Sequence, residues 1–183
     1  MGTSTAPLVE DMTITARRPR ALPIRDRQHL RLVATETAPR LTRALADQAL
    51  QRWGVPRSVR PDVRLVVTEL VTNVLRHAKG EADRIPVFDI ALDLLADSTG
   101  DAAVRVLVFD ASAQMPIRRT PAPGAEGGRG FLVVSGLARD WGAFLLPVGG
   151  KAVWADIAVA AEPPRNGADV RIVARVLGAV RDL

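Results

Sequence analysis

The sequence predicts one α/β domain, and three stretches carry that expectation. Pro61 to Lys79 reads as an amphipathic helix. Ile85 to Asp110 reads as a β-hairpin, and Ala143 to Val159 as a second pair of strands joined by the turn PVGGK. The chain has 183 residues, enough for one domain with a proper core and some appendages.

Residues 1 to 28 carry Arg17, Arg18, Arg20, Arg25 and Arg27 without sustained periodicity, so a flexible, arginine-rich extension is expected there. The domain proper is expected over 29–160. Leu30, Leu32 and Ala34 alternate with Arg31, Val33 and Thr35, which predicts a first strand. Thr37 suits the N-cap of a helix from Ala38 to about Trp53, with Leu41, Leu45, Ala49 and Trp53 on its inner side, and Gly54 and Pro56 stop it.

In the next helix Pro61 fits the first position and Asp62 the positive N-terminal end. Val63, Val66, Val67, Leu70, Val71 and Val74 recur at helical spacing, and Gly80 ends the pattern. In the hairpin, Phe88, Ile90, Leu92 and Leu94 face one way while Asp89 and Asp93 face the other, the pattern of a half-exposed strand. Ala111 to Arg129 has no apolar period and is expected to be a long loop, and GGRG opens it into a short helix, FLVVSGLARD. After a linker at Glu162 to Gly167, Val170, Val173, Leu177 and Val180 predict a C-terminal amphipathic helix within 161–183, which caps the core or pairs two copies.

Composition narrows the function classes. The net charge of +5 and pI of 11.0 come almost wholly from arginine, because Lys79 and Lys151 are the only lysines. Twenty acidic residues are interspersed and aromatics are 4%, which argues against a nucleic-acid platform. No cysteine and two histidines leave thiolate and zinc chemistry poorly supported. The start MGTSTAPLVEDM has neither a basic region nor an apolar core, and no apolar run approaches a membrane span; with no cysteine and hence no disulfide framework, a cytoplasmic location is expected.

Three polar clusters remain. Glu69 and Asn73 stand four apart, about 40° around the helix and roughly 6 Å along it. Such a pair can hold a hydrated Mg²⁺ if a nucleotide supplies further ligands; it is also what a solvated helix face looks like. Asp110, at a strand end, can accept from an exocyclic amine such as adenine presents, or cap a turn. The glycine-rich turn around Gly128, Arg129 and Gly130 can offer N–H groups and a helix N-terminus to phosphate, or be only a tight turn. Other nucleotide and hydrolase motifs fit worse. In the segment ending GGK, Leu145 and Ala152 stand where a phosphate-binding loop needs Gly and Ser or Thr, and Ser135 lies in VVSGL rather than in a nucleophile elbow.

In this order the motifs resemble a known family. TELVTNVLRHA resembles the N-box of the GHKL (Bergerat-fold) ATP-binding superfamily, LVFDAS its adenine-contacting box, and GGRGFLVVSGLARDWG with GKAVWADI its glycine box and closing strands. The resemblance spans about residues 30 to 159 and is strongest to the bacterial anti-sigma-factor serine kinases of the RsbW-like group. It implies a two-layer α/β (α+β) sandwich, with a mixed, mostly antiparallel sheet covered on one face by helices, and ATP with Mg²⁺ as cofactors. It also implies Asn73 as Mg²⁺ ligand, Glu69 as catalytic base, Asp110 as adenine contact, and Gly128 and Gly130 as phosphate-cradling backbone, with Arg129 placed to touch phosphate. The implied partners are a sigma factor and an anti-sigma antagonist of STAS type, with a homodimer as the usual assembly. One departure stands out: where that family commonly has D-x-G-x-G, this chain reads Asp110-Ala-Ser112-Ala-Gln114. Glycines there let the backbone approach the base closely. A non-catalytic module of the same fold is the competing expectation.

Overall fold

A computed structural model describes residues 12–13, 16–77, 86–118 and 130–159. In chain order the elements are β1 (Met12–Thr13), β2 (Ile24–Val33), α1 (Ala38–Arg52), α2 (Arg60–His77), β3 (Val87–Ala96), β4 (Ala102–Asp110), β5 (Ile117–Arg118), α3 (Gly130–Leu137), β6 (Asp140–Leu145) and β7 (Lys151–Ala158). The five long strands form one sheet in the order β2-β3-β4-β7-β6, and β1 pairs with β5 as a separate ribbon. Every named pair in the main sheet is antiparallel; the parallel contribution is one bridge between Ala16 and Ala143.

The period-two pattern of the strands sorts their side chains onto two faces. Phe88, Ile90 and Leu92 of β3, Val104, Val106 and Val108 of β4, and Val153, Ala155 and Ile157 of β7 turn inward, where Val63, Val66, Val67, Leu70, Val71 and Val74 of α2 meet them in one buried cluster. The predicted stripe of α2 is therefore the stripe that is buried. α1 packs beside α2, and α3 packs against α2 and β6, so all three helices belong to one layer. The sandwich expected from the resemblance is the observed architecture.

Several local expectations are corrected. Of the expected inner positions of α1, Ala49 is buried and Leu45 and Trp53 pack on the core, but Leu41 is 51% exposed, and Ala38, Thr42, Ala46 and Leu50 are buried as well. Thr42 can turn inward because its hydroxyl donates to the Ala38 carbonyl at 2.9 Å, and the small Ala46 and Ala49 suit a close approach to α2. Thr37 adopts helical angles and its side chain makes no capping bond, its hydroxyl instead meeting that of Thr35 at 2.9 Å. The C-terminal helix, the linker before it, and Lys79 and Gly80 lie outside the described residues.

The largest difference concerns the expected flexible extension 1–28. β2 already begins at Ile24, and residues 16–23 run over the sheet face opposite the helices. The main-chain carbonyls of Arg17 and Arg20 accept from Trp154 Nε1 at 2.8 Å and from the Arg105 guanidinium at 2.8 Å, and Pro23 O accepts from Ala96 N at 3.1 Å. Gly142 leaves room for this strap, since a Cβ there would stand 3.2 Å from Arg17 O.

Beneath the strap one register position carries a charge in each strand: Arg27, Asp93, Arg105, Asp156 and Asp140 lie side by side from β2 to β6. Arg27 grips Asp93 with two bonds of 2.6 and 2.7 Å, Arg105 grips Asp156 at 2.7 and 2.8 Å, and Arg17 reaches from the strap to Asp140 at 2.7 Å. Asp93, expected to face solvent, is only 2% exposed for this reason. Asp140 and Asp156 face each other as like charges, and separate arginines neutralise them.

Candidate functional site

Glu69 and Asn73 lie one turn apart on the flank of α2, beside its buried valine and leucine stripe, and both are half-buried. What covers them is the first residue of α3. A Cβ built on Gly130 would stand 2.6 Å from Glu69 Oε2 and 3.7 Å from Asn73 Nδ2, so any side chain there would displace the Glu69 carboxylate. The helix-opening glycine and the acid–amide pair, some 60 residues away in sequence, are thereby in contact. Asn73 Nδ2 is buried and has no hydrogen-bond partner among the described residues. A buried, unsatisfied amide is costly, and sites that leave one are ordinarily completed by something else.

Burial of the Glu69 carboxyl raises its pKa above the usual glutamate value, and the positive charge of Arg76 on the same helix offsets part of that rise. The carboxyl also lies beside the N-terminus of α3, whose free N–H groups favour negative charge. The same positive end would attract phosphate oxygens.

Asp110 ends β4 on the helix-bearing face of the sheet. Its Oδ1 accepts from Ser112 N at 2.9 Å and from Lys151 Nζ at 2.7 Å, and Lys151 Nζ also reaches Ser112 O at 3.3 Å. Ser112 Oγ in turn accepts from Gln114 N at 3.2 Å. Side-chain-to-backbone turns thus organise the segment in which the resembling family has glycines. Gly150 (φ +81°) seats the β6–β7 turn directly on this segment, because a Cβ there would overlap the Asp110 carbonyl.

Of the predicted site residues, the structure brings Glu69, Asn73 and Gly130 together and places Asp110 at the end of a strand on which α2 packs. Gly128 and Arg129 lie outside the described residues. His77 is exposed on the last turn of α2. Sequence reasoning missed Lys151 and Gly150 as neighbours of Asp110. The available signal was the placement of one of only two lysines in a GGK turn that leads into the strand beside Asp110.

The family model of the histidine kinase-like ATPase domain matches residues 32–155, from the end of β2 to within β7. The chain belongs to that family. An ATPase domain of this kind implies an ATP site, and the feature that fits one is the unpartnered Asn73 amide beside the α3 N-terminus. The ATPase-domain fold is shared with the crystal structure of the RsbU and RsbW domains of Rv1364c from Mycobacterium tuberculosis, at 20% identity and a TM-score of 0.54. That match covers 80% of this chain and 36% of the solved one, so this ATPase domain spans little more than a third of its neighbour. No curated protein matches the chain. Among the described residues no helix is long and apolar enough to cross a membrane, and no cluster of three or more His, Cys, Asp or Glu is placed to hold a metal.

Proposed function

We propose that this chain is an ATP- and Mg²⁺-dependent serine/threonine protein kinase of the anti-sigma kind. In this reading it sequesters a sigma factor in the cytoplasm, acts as a pair of identical subunits, and phosphorylates an accessible serine of a STAS-type antagonist. The observation that carries the reading is the meeting of Gly130 with Glu69 and Asn73, which joins the phosphate-binding turn to the acid and the amide.

Asn73 would hold Mg²⁺, the backbone around Gly128 and Gly130 with Arg129 would hold the phosphates, and Asp110 would meet the adenine. Bound ATP with Mg²⁺ supplies the transferable phosphoryl group and the charge neutralisation it needs. The chain's own chemistry is then positional. The Glu69 carboxylate takes the proton of the attacking serine hydroxyl, and burial suits it to that task by bringing its pKa closer to neutrality. The α3 N-terminus lays its N–H groups beside the same carboxylate, so the base and the phosphate cradle share one wall.

The test is transfer of labelled γ-phosphate to a STAS-type antagonist. Glu69→Gln should lower the rate by roughly 10²- to 10⁴-fold, whereas undiminished transfer would remove Glu69 from its role. A second reading, a regulatory module that works by partner binding with weak or no ATP binding, draws support from Ser112 and Gln114 in place of glycines and from the engagement of Asp110 by Lys151. Failure of ATP and Mg²⁺ to bind at all would favour it.

A further inference from the structure

Lys151 is an ionised side chain in an unusual place. It is 6% exposed at the start of β7, opposite Asp110 in the register, and its ammonium donates to Asp110 Oδ1 at 2.7 Å and to Ser112 O at 3.3 Å. The two side chains are 8% and 9% exposed. Burying two charges is costly even when they pair, and the helix-bearing face of this sheet is otherwise lined mostly by aliphatic residues.

A hydrogen-bond inventory shows what the pair leaves over. An ammonium has three N–H donors, and two have acceptors here. Asp110 Oδ1 accepts twice, while Oδ2 accepts from none of the described residues. One ammonium N–H and one carboxylate oxygen of the same ion pair are therefore left without a partner among the described residues. Adenine presents the complement, an N6–H donor next to the N1 acceptor. Guanine presents the reverse order, with O6 where adenine has its amine and N1–H where adenine has its lone pair.

We propose that Lys151 is a specificity-determining residue of the nucleotide site: its ammonium fixes Asp110 and donates to adenine N1, while Asp110 Oδ2 accepts from the N6 amine. This deepens the kinase reading above and rests on its ATP site. A charged donor replaces the close backbone approach that glycines at 112 and 114 would permit, and it disfavours an oxo-purine held in the same orientation.

Calorimetry compares ATP, 1-deaza-ATP (in which C–H replaces N1) and GTP, each with Mg²⁺, on the full chain. Loss of one charge-assisted bond should weaken 1-deaza-ATP on the order of 10- to 100-fold relative to ATP, with GTP weaker than ATP as well. Lys151→Met should abolish the preference for ATP over 1-deaza-ATP. The second readout needs no change in the site: with two lysines in the chain, Lys79→Arg leaves one ¹⁵Nζ resonance, from Lys151. That resonance should move with saturating ATP and not with saturating 1-deaza-ATP. Equal affinities, an equal response of the Nζ signal to both, or a preference that survives in Lys151→Met would each overturn the proposal and leave the ATP site standing. Absence of any ATP binding would overturn both.

Discussion

At Glu69 two forces oppose each other: the contact between α2 and α3 strips water from the carboxylate and raises its pKa, and Arg76 pulls it back in part. The folded state therefore holds this proton to higher pH than the unfolded chain does, and stability falls as pH rises where the folded state binds more protons. Below about the ordinary value of 4.5 the acid is protonated in both states and carries no penalty; as pH rises past it through the raised folded value the penalty grows to its full size. Glu69→Gln keeps the shape and removes the charge, so urea unfolding should find it more stable than the native chain at pH 7.5. The difference should shrink toward pH 4. A variant less stable at pH 7.5 would mean that the charge is held by favourable bonds.

Among the elements, the α2–α3 junction is the one on which the site depends. Gly130→Ala would press a methyl group onto Glu69 Oε2, the free end of a flexible side chain, so the carboxylate should swing aside while the fold persists. Unfolding free energy should change by less than about 1 kcal/mol, the usual scale of a Gly-to-Ala change in a helix, whereas phosphotransfer should fall roughly 10²-fold through misplacement of the base. Collapse of the fold, or native activity, would contradict this view of the junction. Most elements were legible in the sequence because their apolar periods are long: α2, the β3–β4 hairpin, and the β6–β7 pair all stand within a few residues of expectation. Three features were not. In α1 only Leu41 was misplaced, since Ala49, Leu45 and Trp53 do face the core; the missed inner residue, Thr42, is buried through a bond to its own helix backbone, which no hydropathy pattern encodes. Asp93 was read as solvent-facing because its partner Arg27 is 66 residues away. The 16–23 strap docks through main-chain carbonyls onto Trp154 and Arg105, so its side chains carry no period.

At the scale of the molecule, the sheet separates two tasks. One face packs against the helices and carries the candidate site at its edge; the other is closed by the strap and a transverse row of arginine–aspartate pairs. This arrangement also accounts for two arginines of the basic N-terminal run, Arg17 and Arg27, each committed to a carboxylate. Glu69, Asn73 and Asp110 could be singled out as candidates because the spacing of the first two and the strand-end position of the third are local properties. The Asp110–Lys151 pair was not, because it depends on which strands become neighbours. The central claim is that ATP and Mg²⁺ bind beside Asn73, and calorimetric titration of ATP with and without Mg²⁺ into the native chain and Asn73→Ala tests it most directly. One Mg²⁺-dependent site is predicted in the native chain, with thermal stabilisation of about 2.7 kcal/mol at a hundredfold excess over Kd, and loss of the Mg²⁺ dependence in Asn73→Ala; no heat in the native chain, or identical Mg²⁺ dependence in the variant, would contradict it.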